Sequence, residues 1–258
     1  MLIQFNQVSL KQNGAQILAD ISWSMEENDN WAILGLNGSG KTSLLKMVTG
    51  YYWPTVGKLS VLGETFGKTS IPELRKRIGW VSMDLQQRIN SNELAEEIVL
   101  SGKFSTIGIW QATSTVEKET ARQLLVDCGG ETLIGKKFSL LSQGQRQTVL
   151  IARSLMGNPE LLILDEPCNG LDLFARQELL TRINQMASKK LTNGLILVTH
   201  YIEEIPDNFN KILLIKDGNI FATGNREDIL NESLLTDFYD KDVEIIIRDN
   251  KVITVLPK

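Results

Sequence analysis

The chain has one histidine, two cysteines and six prolines in its 258 residues, and no apolar run approaches the roughly 20 residues that a helical membrane span requires. The cysteines, Cys128 and Cys168, stand far apart without metal-ligand spacing. A pair this sparse excludes a disulfide-built scaffold and suits reducing surroundings. Positive charge is not in surplus either. A formal net charge of −4 and a pI near 5.3 speak against a general nucleic-acid-binding role and leave room only for a local basic patch. The opening MLIQFNQVSLKQNG lacks the charged-then-apolar layout of a signal peptide, so a cytoplasmic location is expected. There is no internal repeat and no low-complexity tract.

Apolar residues at 42% and charged residues at 22% are the proportions of a globular protein, long enough here for one large domain or a domain with a subdomain. Continuous apolar runs occur at 30–35 (NWAILG), 77–81 (RIGWV), 160–165 (ELLILD) and 194–200 (GLILVTH). Runs without alternation suit parallel strands buried on both faces. Between them, KTSLLKMVTG and SQGQRQTVLIARSLMGNPE carry helical apolar stripes, closed by Gly50 and by Gly157 with Pro159. The fold class is therefore α/β. From about 84 to 140 the chain reads as helices without buried strands. One is capped by Ser91 or Asn92, and another opens on a capping box of Ser114 and Glu117. Two hairpins follow, one turning at Asp217 and Gly218 and one spanning about 242 to 256.

GLNGSGKT, residues 35–42, lies between a strand and a helix. Glycines at Gly35, Gly38 and Gly40 let the backbone curl so that amides at Asn37, Ser39 and beyond point at phosphate oxygens, with the helix N-terminus adding its positive end. Lys41 is placed to reach the β and γ phosphates of a nucleotide. The hydroxyl of Thr42, beside Ser43, is placed to bind Mg²⁺. Far along the chain, LILDEP ends a buried strand on two carboxylates. Asp165 suits the Mg²⁺ shell and Glu166 suits a general base for an attacking water. His200 ends another such strand and is expected on the same sheet edge.

With LSQGQRQ at 141–147 these motifs together resemble the nucleotide-binding subunit of the ATP-binding cassette (ABC) family. GLNGSGKT matches its Walker A motif, LSQGQ its signature, LILDEP its Walker B motif with the following glutamate, NGLD its D-loop and VTH its histidine switch. The likeness runs over about residues 1–235. It implies a P-loop NTPase fold: an α/β core with an antiparallel β subdomain at 1–83 and 157–240, and an inserted helical subdomain at 84–156. A β-hairpin extension at 241–258 lies beyond the family core. It further implies ATP and Mg²⁺ as cofactors, and catalysis by Lys41, Glu166 and His200. Ser142, Gly144 and Gln145 would contact the γ-phosphate in trans, within a head-to-tail homodimer or a pair with a related subunit.

The resemblance implies a peripheral ATPase on the inner face of the cell membrane that powers a separate transmembrane permease. The alternative is a soluble ABC-type ATPase in a nucleic-acid-linked or assembly process. Three positions depart from the pattern. Gln143 stands where the signature usually has glycine. Gln12 stands where many members stack an aromatic ring on adenine, which leaves the choice between ATP and GTP open. Met83 stands where a glutamine normally touches Mg²⁺ and the attacking water, in a loop that meets the transmembrane partner. Gln86, or else Gln87, is the expected substitute as the metal-touching residue. Cys168 reads as a small packed thiol, and Trp110 as subdomain packing or a partner surface.

Overall fold

The computed structural model describes residues 1–248 and 251–258. In chain order its elements are β1 (Ile3–Gln12), β2 (Ala15–Met25), β3 (Asn30–Leu34), α1 (Lys41–Val48), β4 (Val56–Val61) and β5 (Glu64–Thr65). Next come α2 (Ile71–Lys76), β6 (Ile78–Val81), α3 (Met83–Arg88), α4 (Ala95–Ser101), α5 (Thr115–Asp127), α6 (Gln143–Leu155) and β7 (Leu161–Asp165). The last are α7 (Leu173–Ser188), β8 (Gly194–Thr199), β9 (Lys211–Lys216), β10 (Asn219–Asn225), α8 (Arg226–Ile229), α9 (Glu232–Tyr239), β11 (Val243–Arg248) and β12 (Lys251–Pro257).

The four continuous apolar runs become β3, β6, β7 and β8. With β9 and β10 they form a sheet in the order β10-β9-β3-β8-β7-β6, parallel throughout except for the β9–β10 hairpin. Both faces of this sheet are buried, and the pleat divides them. Ala32, Leu34, Leu162, Leu164, Leu195 and Leu197 face the helices α4–α7 in one core cluster. Ile33, Leu161, Ile163, Ile196 and Val198 face α1 and the antiparallel sheet β2-β1-β4-β5 in a second. That two-sided burial is why the runs do not alternate.

Ser114 and Glu117 form the capping box of α5 as expected. Ser91 and Asn92 do not cap α4. The Asn90 side chain accepts from Asn92 N–H at 3.1 Å, so 90–93 is a turn, and Glu97 reaches back to Leu94 N–H at 3.1 Å to serve the helix start instead. The stretch after β6, polar in sequence, is the short helix α3, capped by Ser82, whose hydroxyl accepts from Leu85 N–H at 3.3 Å. At the C-terminus β11 and β12 pair as a separate two-stranded sheet. The residues expected at its turn, 249 and 250, lie outside the described residues. No helix among the described residues is long and apolar enough to cross a membrane.

Candidate active site

Because β8 lies between β3 and β7, the residues that follow these three strands meet at one edge of the sheet, where open parallel sheets bind ligands. β3 delivers the glycine loop, β7 delivers Asp165 and Glu166, and β8 delivers His200 between them. In the loop Gly40 has φ 109°, and a Cβ there would come within 2.7 Å of Leu18 Cδ2. A Cβ on Gly35 would lie 2.4 Å from Ser39 Oγ and 2.6 Å from the Ile215 carbonyl oxygen. Glycine is thus required at both positions, by conformation at one and by space at the other. The β9–β10 turn holds the loop from outside, with Gly218 N–H donating to the Ser39 carbonyl at 2.9 Å.

Lys41 is 5% exposed, and its ammonium donates to the carbonyls of Gly35 at 2.7 Å and Leu36 at 3.1 Å. It also lies 3.1 Å from His200 Nδ1. Burial lowers the lysine's pKa, while the charges of Glu166 and Asp165 act in the opposite direction. His200 Nε2 is 2.7 Å from Glu166 Oε1. His200 Nδ1 also lies 3.0 Å from the Gly35 carbonyl oxygen, so Lys41, His200 and Glu166 stand in one continuous run of polar contacts around the phosphate loop. Glu166 has φ 51°, a left-handed conformation that costs on the order of 1 kcal/mol, and its N–H is tied to the Val198 carbonyl at 2.9 Å. Burial, followed by the adjacent Glu166 charge, pushes the pKa of Asp165 up to about 7.

A cleft of about 160 Å³ beside these groups is lined by Thr42, Ser82, Asp84, Gln147, Asp165 and Glu166, among others. A divalent cation fits this donor set. Thr42 and Asp165 are hard oxygen ligands, and the buried Oε1 of Gln147 at the cleft has no hydrogen-bond partner. Among the described residues no group of three or more His, Cys, Asp or Glu could hold a metal unaided. Mg²⁺ does not need such a cage, since it is commonly held by one or two carboxylates together with substrate phosphates. In the loop, the buried hydroxyl of Ser39 likewise has no partner.

The structure brings Lys41, Asp165, Glu166 and His200 together, with Thr42 on the same cleft. Asn37 and Gly38 are exposed in the loop, and Ser43 follows in the first turn of α1. Ser142, Gly144 and Gln145 stand at the start of α6, where Ser142 and Gln145 cap each other. Gln86 is not on the metal-side cleft. Its carboxamide exchanges two hydrogen bonds with that of Gln143, and Gln87 is exposed. Met83, Asp84 and Gln147 line the cleft instead. Gln147 had one sequence signal, a polar side chain on the helical stripe shared with Ile151 and Ser154, all three of which are buried or nearly so. Cys168 is 3% exposed, and burial pushes its thiol pKa up to about 12, so it is a packed thiol. Trp110 is 85% exposed and belongs to the surface.

The sequence profile of the ABC transporter family matches residues 18–169. An ABC transporter ATP-binding protein of Bacillus subtilis, YlmA, described as uncharacterized, is 45% identical over 95% of this chain and 94% of its own. A putative ABC transporter ATP-binding protein of Streptococcus mutans is 42% identical over 100% of this chain and 99% of its own. Among solved structures, cbiO1 of Clostridium perfringens, part of the ABC transporter complex cbiONQ, superposes with a TM-score of 0.79. It is 26% identical, covering 92% of this chain and 93% of that one. An ATP-binding cassette dimer bound to ADP and Pi shares the fold, with a TM-score of 0.73 at 23% identity over 87% of this chain and 98% of that one. The chain belongs to the ABC transporter family, as one of its ATP-binding subunits.

Proposed function

We propose that this protein hydrolyses Mg²⁺-bound ATP as one half of a head-to-tail pair and uses the cycle to drive a separate membrane permease. One observation carries the chemistry: Lys41, His200 and Glu166 stand in one continuous run of polar contacts, with Asp165 beside it. Lys41 releases its loop carbonyls to bind the β and γ phosphates. Thr42 and Asp165 would hold Mg²⁺, which would neutralise phosphate charge when bound. Glu166 accepts a proton from water as the water oxygen bonds to the γ-phosphorus and the bond to the β–γ bridging oxygen breaks. His200 keeps the Glu166 carboxylate oriented and faces the γ-phosphate position from the β8 end.

The pairing has physical support in the apolar side chains left exposed where a second subunit would dock. Leu36 is exposed in the phosphate loop, Leu140 before the signature, and Leu173 and Phe174 after the D-loop. A permease contact is supported by an adjoining groove of about 660 Å³ running past α3. Arg75, Arg88 and Arg153 line it together with Trp80 and Trp110, and Asp84 is its one carboxylate. Such a lining suits an acidic partner segment with an apolar anchor. The test is sedimentation with Mg²⁺ and ATP. Glu166→Gln should abolish turnover and form a stable ATP-dependent dimer, and Lys41→Ala should form none. A strictly monomeric preparation whose turnover rate per molecule does not change with protein concentration would exclude the pairing. Absence of any multi-span protein from detergent-solubilised complexes would exclude the permease.

A further inference from the structure

Two of the positions that set this chain apart from the family pattern touch each other's neighbourhood directly. Gln143 occupies the usual glycine of the signature, and Gln86 lies three residues beyond Met83, which occupies the usual glutamine. Gln86 Nε2 donates to Gln143 Oε1 at 2.9 Å, and Gln143 Nε2 donates to Gln86 Oε1 at 3.1 Å. Each half-buried amide satisfies a donor and an acceptor of the other. The pair joins the end of α3 to the first residue of α6. On the α3 side Gln86 is fixed, since its own N–H donates to the Ser82 carbonyl at 3.1 Å and Ser82 caps the helix. Beside the pair, the Cγ of Gln143 packs 3.8 Å from the position a Cβ on Gly170 would take, against the D-loop.

A glutamine at the first position of a helix is a hazard when that helix end must bind an anion. The first-turn N–H groups have no intrahelical partner, and a free carboxamide on three rotatable bonds can fold over them or enter the space in front of them. Glycine has no side chain to do so. Here the Gln143 side chain is drawn sideways to α3. We propose that Gln86 is a positioning residue, holding the Gln143 side chain off the start of α6 so that the Gln143 and Gly144 amides remain open to a partner subunit's γ-phosphate. This rests on the head-to-tail reading above. Gln86 acts on the signature through Gln143 and, in this arrangement, is not itself a ligand of the metal.

The prediction is a rescue. In full-length protein carrying Glu166→Gln to suppress turnover, Gln86→Ala should weaken Mg²⁺–ATP-driven dimerisation about five- to tenfold, the scale of losing one net hydrogen bond of a pair. Adding Gln143→Gly, which removes the side chain that Gln86 holds, should return dimerisation to within about twofold of the parent. Unchanged dimerisation in Gln86→Ala, or a double variant no better than Gln86→Ala, overturns the proposal. Hydrogen exchange without nucleotide tests the positioning apart from the pairing. The Gln143 and Gly144 amides should exchange about threefold to tenfold more slowly in Gln86→Ala, where the freed Gln143 carboxamide covers them, and at about the parent rate once Gln143→Ala is added. Unchanged exchange in Gln86→Ala, or slowing that persists in the double variant, overturns it equally. A parent that stays monomeric with Mg²⁺ and ATP would instead remove the pairing, and the exchange result would then decide the role of Gln86.

Discussion

At the scale of single residues, the site is built from groups that the folded chain holds at a cost. Asp165 shows this most directly. Its pKa lies near 7, well above the 3.8 of an unperturbed aspartate, because burial and Glu166 disfavour its charge. The unfolded chain releases this proton near pH 4 and the folded chain only near pH 7, so the residue destabilises the fold progressively from about pH 4 to pH 7 and fully above. Asp165→Asn should therefore raise the melting temperature in chelator at pH 8 by roughly 4 °C, on the order of 2 kcal/mol, and by almost nothing near pH 4. With Mg²⁺ and ATP the same variant should lose the ligand-induced gain in melting temperature. Equal melting of parent and variant in chelator across that range would contradict the assigned environment.

These costly groups were largely legible in the sequence, because the demand each one meets is local. A loop that packs a backbone carbonyl 2.6 Å from the Cβ position of Gly35 announces itself as glycine, and carboxylates after an apolar strand announce a ligand edge. The Gln86–Gln143 pair was not legible. Nothing in a run of glutamines says which carboxamide will lie across from another 57 residues away, since that depends on how α3 and α6 pack.

At the scale of elements, α6 packs against α4, α5, α7 and β6 at once. Arg153 in its last turn is 7% exposed, and its guanidinium donates to Ser101 Oγ at 3.2 Å and the Thr106 carbonyl at 2.8 Å. α4 ends against it so closely that a Cβ on Gly102 would lie 2.0 Å from the Arg153 carbonyl oxygen. Gly102→Ala should destabilise the protein by about 2–3 kcal/mol in denaturant unfolding, because two backbones would have to separate. A loss under about 0.5 kcal/mol would mean that the helices do not meet this closely. Glycine is needed at 102 because of the neighbouring helix, a tertiary demand that propensity does not encode. The same limit explains Ser91 and Asn92, acceptable caps that lost to a local turn at Asn90.

At the scale of the whole molecule, one core cluster runs from the helices α4–α6 through the sheet to the C-terminal segments without a break. Val243 is 5% exposed, Ile245 and Val255 pack on that cluster, and β12 lies against the turn Ile202–Glu204 that follows His200. Removing residues 241–258 should lower the melting temperature by about 5 °C, from the apolar area uncovered. It should also speed exchange at the Tyr201–Glu204 amides. A truncated chain that melts like the parent would make the hairpin an ornament. The fold class followed from the sequence because its buried strands are apolar on both faces. The hairpin's docking did not, because its partners, α9 and the turn Ile202–Glu204, are separate elements.

The route from Ser142 to Glu166 is a single stretch of chain: α6, a short bend at Gly157–Pro159, then β7. α6 alone has 13 residues, a rod about 20 Å long. In a head-to-tail pair its near end would serve one nucleotide and its far end, through β7, the carboxylates of the other. Such a rod is a lever with a different load at each end. Occupancy of one pocket would then be felt mechanically in the second, and the two hydrolysis events would be geared to each other by one covalent segment within each subunit.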